Sequence, residues 1–568
     1  MEEERRILKS MLLKKSKYIR YFDMRVLDEI VRSMTKIKYA ANSTIMSPSQ
    51  AANYLYVFAE GKIIVKAELK YTFKMPPWSV YGEQEMLFRK TRLASAEALT
   101  DSTVWRLSRD EFKDIMRRTC PVNEIPEFLR TVDIFRNYPD DLLSRIQKEL
   151  QVEFIETDEF VPVKPDTLYV VSSGLLRTTC GDTGADEGRI VRVLKRGDHF
   201  EEGSSNGLLP FFPGVELLLL NKEILRQIGF EGAPFPVQDE EEISADREFS
   251  SISLNDLSVV GTLGAGGYGR VELVTCTRKP GASFALKKIQ KARVVQKAYH
   301  GHVISEKEIL LRANSPFITR CYSTYRDDRH VYLLLEACLG GDLLRVLNRY
   351  RYLEEDVAQF VTGCVVEALD YLHRSHIVYR DLKPENLVVD RKGYVKLTDF
   401  GLSKQLGYTG RSFSYCGTAE YFSPEMVLNL GHDRGVDYWS LGVMVYELLC
   451  GDLPFSSDDI LKVFESILEG IDDVYFSVLI RELDAEDLVR KLCRRKPDHR
   501  IGYKNIDQIR QHKWFEEFDW AALRSRIMPA PRILVPLLRD SSDLSHFDTV
   551  DLEEVQPSTE TSNWDMDF

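Results

Sequence analysis

HIVYRDLKPENLVVD, residues 376 to 390, concentrates the chemistry that decides how the chain is read. Asp381 offers a carboxylate that can accept the proton of a hydroxyl nucleophile, Lys383 an ammonium that can neutralise a moving phosphoryl group, and Asn386 an amide oxygen that can hold a metal ion. Thirteen residues past Asn386 comes DFG, whose Asp399 can complete a magnesium site. Magnesium keeps several waters and takes few protein oxygens, so two such residues and the oxygens of a nucleotide suffice.

Upstream, LGAGGYGRVEL (263 to 273) sets Gly264, Gly266 and Gly269 between two strand-like runs. A dinucleotide-binding loop of this spacing should open a helix, whereas VELVTCT reads as a strand. A glycine-rich hairpin over phosphates fits better, with Leu263, Gly264, Ala265, Gly266, Gly267, Tyr268, Gly269, Arg270 and Val271 as its nucleotide-facing residues. Sixteen residues after Val271, FALKK places Lys287 where an ammonium can meet α and β phosphates, with Lys288 as the alternative register. The helix-like HVISEKEILLRA then offers Glu306 as a carboxylate partner for Lys287.

A chain of 568 residues is too long for one core, so several domains are expected. Its composition, 44% hydrophobic and 29% charged, is that of a globular protein, and a net charge of −12 argues against nucleic acid as the partner while suiting a basic peptide. Nine cysteines lie singly, without CxxC spacing or a signal peptide, which points to reduced thiols and a cytoplasmic location. The most apolar run, LLPFFPGVELLLL (208 to 220), is too short to span a bilayer and holds two prolines and a glutamate, so no transmembrane segment is expected.

Residues 1–17 form a weakly amphipathic helix, too short for a zipper. Residues 18–120 and 127–230 repeat one order, a helical opening followed by short alternating runs, and read as an internal duplication of a small β-roll unit. Residues 232–253, Pro-containing and acidic, read as a linker. A larger domain follows over 254–515, strand-rich and then helical, and 516–568 lacks periodicity and reads as an extended tail.

With these motifs in order, 254–515 resembles the eukaryotic protein kinases: Gly264 to Val271, Lys287, Glu306, YRDLKPEN, DFG, SPE (423 to 425), DYWSLG (437 to 442) and Arg500. KPEN implies serine or threonine as acceptor. The departures, Tyr379, Ala419 and Ser423, remove no charge needed for transfer. The resemblance implies Ser414 as an activation-loop phosphosite paired with Arg380, Asp342 as a contact for the ATP ribose, and Glu385 and Glu465 as acidic residues of a peptide groove that prefers Arg or Lys upstream of the target. DLSHFD (543 to 548) and NWDMDF (563 to 568) resemble the C-terminal tail of the AGC group, with Phe547 approaching the ATP pocket, and WDMDF resembles the ending of cyclic-GMP-dependent protein kinases.

That likeness implies a multidomain α+β chain in which two cyclic-nucleotide-binding β-rolls precede a bilobal kinase domain, with ATP and Mg2+ as cofactors and cyclic GMP or another cyclic nucleotide as regulator. In the first roll, Glu83 of YGE is the implied ribose ligand and Arg92 of TRLA the phosphate ligand, although Glu85 stands where an alanine is usual and Leu93 where a threonine favours cyclic GMP. The second roll keeps Glu202 but has Glu201 for a glycine and no arginine before Arg226, so it is expected to bind no cyclic nucleotide, or something other than a cyclic phosphate, with a docking surface for the catalytic domain as its candidate role. RRILKS and LKKSK, with Ser10 and Ser16, are candidates for a substrate-like inhibitory segment. The alternatives are a nucleotide-independent kinase with a scaffolding front half, and a non-catalytic binding protein with a kinase fold.

Overall fold

The structure, a computed structural model, describes residues 2–16, 18–22, 24–47, 54–67, 72–83, 86, 94–119, 128–129, 132, 134–135, 138–155, 163–164, 166–173, 176–180, 189–194, 196–200, 208–210, 215–227, 252–266, 269–297, 299–406, 410–476, 484–547, 564–565 and 568. Arg92, Glu85, Leu93, Glu201, Glu202, Gly267 and Tyr268 lie outside the described residues. The chain forms two compact units, one of Met1–Val122, Ser423–His432 and Ser457–Glu469, the other of the remainder.

In the first unit, helix Glu2–Lys15, a 3-10 turn Ile19–Tyr21 and helix Met24–Ser33 precede two four-stranded antiparallel sheets. Helix Met24–Ser33 buries Val26, Leu27, Ile30 and Val31, the one-sided spacing of an amphipathic helix. One sheet runs in the order Thr35–Tyr39, Ser102–Ser108, Tyr54–Glu60, Ser79–Tyr81, and the other Thr44–Met46, Ala94–Ala98, Ile63–Ala67, Thr72–Met75. Strand Ala94–Ala98 alternates inward alanines with outward polar residues, and these small side chains pack with Phe58, Ile63, Val65 and Val104 between the sheets. Helix Arg109–Thr119 closes the roll.

The N-terminal helix is seated on this roll. Leu8 and Leu12 are buried, Lys9 pairs with Asp28, Lys36 with Glu4, and Lys15 donates to Pro77 O. Ser16, one of the two serines expected to imitate a substrate, is buried and its hydroxyl is bonded to Glu83, so in this arrangement it is not displayed to solvent.

The second unit opens with another roll. Its main sheet runs Gln151–Ile155, Val215–Asn221, Thr167–Ser173, His199–Phe200, and a second sheet runs Arg189–Leu194, Leu176–Cys180, Leu208–Pro210. As in one sheet of the first roll, the opening strand lies beside the last and the last beside an inner strand, the third described strand there and the second here. The apolar run 208–220 thus supplies two strands, and Leu217, Leu218, Leu219 and Leu220 are all buried because their strand is central in its sheet. Among the described residues no helix is long and apolar enough to cross a membrane.

A five-stranded antiparallel sheet follows, in the order Leu257–Gly266, Gly269–Cys276, Lys279–Gln290, His330–Glu336, Cys321–Arg326, with helix His300–Arg312 beside it. Gly269 is obligatory at the turn of the first hairpin, since a Cβ there would fall 1.8 Å from Lys288 O. The helical part is built on Glu355–Arg374 and Gly435–Cys450, both buried along most of their length. The latter stops at Gly451, whose φ of 79° makes the left-handed cap. The tail returns to the sheet-bearing part, where Asp565 pairs with buried Lys291 at 2.5 Å and Trp564 meets His300 edge-on.

Candidate active site

The strands that flank the glycine hairpin set its partners by register. Val271 pairs with Lys287 across the Gly269–Cys276 and Lys279–Gln290 strands, which puts the Lys287 side chain under the hairpin. Its Nζ lies 2.6 Å from Glu306 Oε1 and 3.0 Å from Asp399 Oδ1. Lys288, the alternative register, faces Tyr332 instead. Burial opposes the charge on Lys287, but Asp399 and Glu306 outweigh it and raise its pKa; Lys287 in turn holds the Asp399 carboxyl below its usual range.

The catalytic loop is fastened from beneath by Asp437, which is fully buried. It accepts from the backbone N–H of Tyr379 at 2.9 Å and of Arg380 at 2.8 Å, and His373 Nε2 lies 2.8 Å away. Tyr379 donates its hydroxyl to Thr398 O, tying this loop to the segment that carries Asp399. Both Arg380 (φ 71°) and Asp399 (φ 54°) hold left-handed backbone, a strain that non-glycine residues sustain where the surroundings impose it.

Asp381 is surrounded by donors. Asn386 Nδ2 donates to its Oδ2 at 2.9 Å, Thr418 Oγ1 to its Oδ1 at 3.0 Å, and Lys383 Nζ lies 3.2 Å from Oδ2 while also donating to Thr418 at 2.8 Å. Because Asn386 turns its NH2 toward Asp381, its carbonyl oxygen is the atom left for a cation, and Asp399 keeps a half-exposed carboxylate. These residues fit a magnesium–nucleotide complex.

Lys287, Glu306, Asp381, Asn386 and Asp399 line one cavity of about 540 Å³, with Leu263, Gly264, Ala265, Gly266, Gly269, Arg270, Val271, Asp342, Glu385 and Phe547. Asp342 also caps helix Leu343–Tyr350 by accepting from Arg345 N–H. Glu465 is not among the lining residues; it lies half-buried on helix Ile460–Glu469 in the other compact unit.

Ser414 is buried and does not touch Arg380 directly. Arg380 Nη1 donates to Ser412 Oγ at 3.0 Å, and Ser412 Oγ lies 3.3 Å from Ser414 Oγ. Around them burial and Arg380 depress Lys404 to about 8 and His302 to about 3, the mark of cations crowded where an anion would be welcome. Phe413, between the two serines, meets Phe154 of the second roll edge-to-face at 5.1 Å.

Several residues escaped sequence reasoning. Glu447 sits on the otherwise apolar helix Gly435–Cys450, accepts the Tyr421 hydroxyl, and has its pKa raised to about 7 by burial, with Glu385 adding repulsion. Thr418 and Tyr299, a lining residue stacked on His302, were missed too. Only the polar character of Glu447 within an apolar run could have exposed it.

Comparison with known proteins speaks to the whole chain. Residues 257–515 match the protein kinase domain family and 36–119 the cyclic nucleotide-binding domain family. The chain is 36% identical to human cGMP-dependent protein kinase 2 over 98% of its own length and 79% of that protein's. It is also 36% identical to Drosophila melanogaster cGMP-dependent protein kinase isozyme 1, covering 76% of it, and 35% identical to forms of the fly's isozyme 2, of which it spans 54%. At this identity over nearly its whole length, the chain belongs to the cGMP-dependent protein kinase family, within the serine/threonine protein kinases.

Proposed function

We propose that this chain transfers the γ-phosphoryl group of ATP to serine or threonine in basic peptides, under control of its N-terminal domains with cyclic GMP as the regulating ligand. The observation that carries the reading is a single cavity in which Lys287, paired to Glu306, and Asp381, paired to Asn386, face one another. Asp381 takes the proton of the acceptor hydroxyl as its oxygen bonds to the γ-phosphorus and the bond to the ADP oxygen breaks. Lys383 offsets the charge on the transferring group and is itself held by Thr418. Asn386 and Asp399 would hold magnesium, which would supply charge neutralisation along the phosphates. Lys287 orients the α and β phosphates, while Leu263 to Gly266, Gly269 to Val271 and Phe547 exclude water above them.

Specificity for basic residues rests on Glu385 and Glu447, the latter with its pKa raised by burial and further by the Glu385 charge. A phosphate on Ser414 would find Arg380 and Lys404 and switch the enzyme on. The second roll acts as a docking body for the activation segment through Phe154, in place of ligand binding. Free cysteines throughout the described kinase domain, such as Cys276, Cys338 and Cys493, support a cytoplasmic location.

The test is phosphorylation of an Arg-rich serine peptide by the full chain with and without cyclic GMP and cyclic AMP. Stimulation by cyclic GMP is expected. Equal turnover with and without nucleotide would favour a scaffolding front half, and no turnover under any condition would overturn the assignment of activity.

A further inference from the structure

Glu83, implied by resemblance as a ribose ligand, already has a partner within the chain. Tyr18 N–H donates to its Oε1 at 2.8 Å, Ile19 N–H to the same oxygen at 2.9 Å, and the Ser16 hydroxyl makes a still closer contact with it. Ser16 Oγ also accepts from Ile19 N–H at 2.7 Å, which orients the hydroxyl hydrogen toward Glu83. Glu83 is only 7% exposed, and a charge so far out of water is tolerable because these donors replace its hydration.

The donors belong to a segment that is otherwise held by apolar packing and peripheral ion pairs. Leu8, Leu12, Tyr18, Ile19 and Phe22 are buried, and Phe22 stacks on Phe112 at 5.8 Å in the helix that closes the roll. Exposed pairs such as Arg6 with Glu3 contribute little, so Glu83 is the one buried charge that fixes the register of the turn on the roll among the described contacts. Its neighbour Gly82 has a φ of 86°, left-handed backbone that glycine adopts without a Cβ penalty.

We propose that Glu83 is the receptor for the chain's own N-terminal turn: it fastens Ser16–Ile19, and through them helix Glu2–Lys15, to the first roll, and a ligand hydroxyl that takes this carboxylate must release them. The second clause rests on the reading of the first roll as a cyclic-nucleotide sensor; the first does not. A nucleotide hydroxyl and the Ser16 hydroxyl compete for the same acceptor, so occupancy of the sensor becomes freedom of the N-terminal helix.

Amide hydrogen exchange on the full chain tests this, with Ser16→Ala and Glu83→Gln compared to the parent in the absence of nucleotide. Each variant weakens a charge-assisted bond, and exchange at Tyr18 and Ile19 should rise about tenfold while strand Ala94–Ala98 stays protected. Unchanged exchange at Tyr18 and Ile19 in both variants overturns the fastening. Should Glu83→Gln unfold the roll, Ser16→Ala decides, since it leaves the carboxylate in place. Cyclic GMP is then titrated into the parent by calorimetry and exchange repeated at saturation. Binding with raised exchange at Tyr18 and Ile19 supports release, and binding with protection retained overturns it. Absence of binding defeats the sensor reading and with it the release clause, leaving the fastening to the two variants.

Discussion

The nucleotide cavity of the kinase domain and the carboxylate of the first roll are both polar sites buried in apolar surroundings, yet their donors are spent differently. In the kinase domain the internal bonds point reactive groups outward into a cavity: Glu306 holds Lys287, Asn386 and Thr418 hold Asp381, and Asp437 holds the loop beneath. In the first roll three donors converge on Glu83 and bury it. The first arrangement is ready for a ligand and the second must exchange one partner for another, which makes the roll a switch and the kinase domain the machine it controls.

Variants can sharpen or break this contrast. The largest effect is expected from Lys287→Met, which removes the phosphate-orienting charge and should cut peptide kcat/KM by about 10²–10³-fold with the fold intact by circular dichroism. Wild-type kinetics in that variant would mean the cavity is not wired as described. Tyr379→Phe deletes the bond to Thr398 O and should lower kcat by roughly fivefold, the worth of about 1 kcal/mol. A kcat matching the parent's would show that the strained Asp399 backbone is held without it.

Phe154→Ala loosens the ring contact with Phe413 and should raise Ser414 phosphorylation by about threefold, read by mass spectrometry, as one aromatic pair is lost. The smallest effect concerns Glu447. With its pKa near 7, the group is neutral below that pH and anionic above it, so KM for an Arg-containing peptide should fall a few-fold as pH rises from about 6 to 8. Glu447→Gln should flatten that profile; an identical slope would assign the titration elsewhere.

What could be read in advance follows from how local each determinant is. The glycine hairpin, the Lys287 register and the Asp381–Asn386–Asp399 order were legible because phosphate chemistry demands fixed residue types at short spacing. The duplicated roll was read from a repeated order of short runs, and in each roll one sheet sets the opening strand beside the last. The bond from Ser16 to Glu83 spans 67 residues and involves a serine just past a charged helix, so nothing local announces it. Glu447 was hidden in the same way, by an apolar helix in which one carboxylate reads as noise. Ser412, rather than Ser414, meets Arg380 because the turn of the activation segment, not residue type, decides which hydroxyl faces the guanidinium.

The account stands on Asp381 as proton acceptor beside a nucleotide held by Lys287, and one comparison tests it most directly. Purified full chain and its Asp381→Asn variant are given γ-labelled ATP, magnesium and a basic serine peptide, with ATP affinity measured for both. The account predicts label on the peptide with the parent and, at unchanged ATP affinity, a rate lower by about 10²–10⁴-fold with the variant. Transfer by the variant at the parent's rate would contradict it.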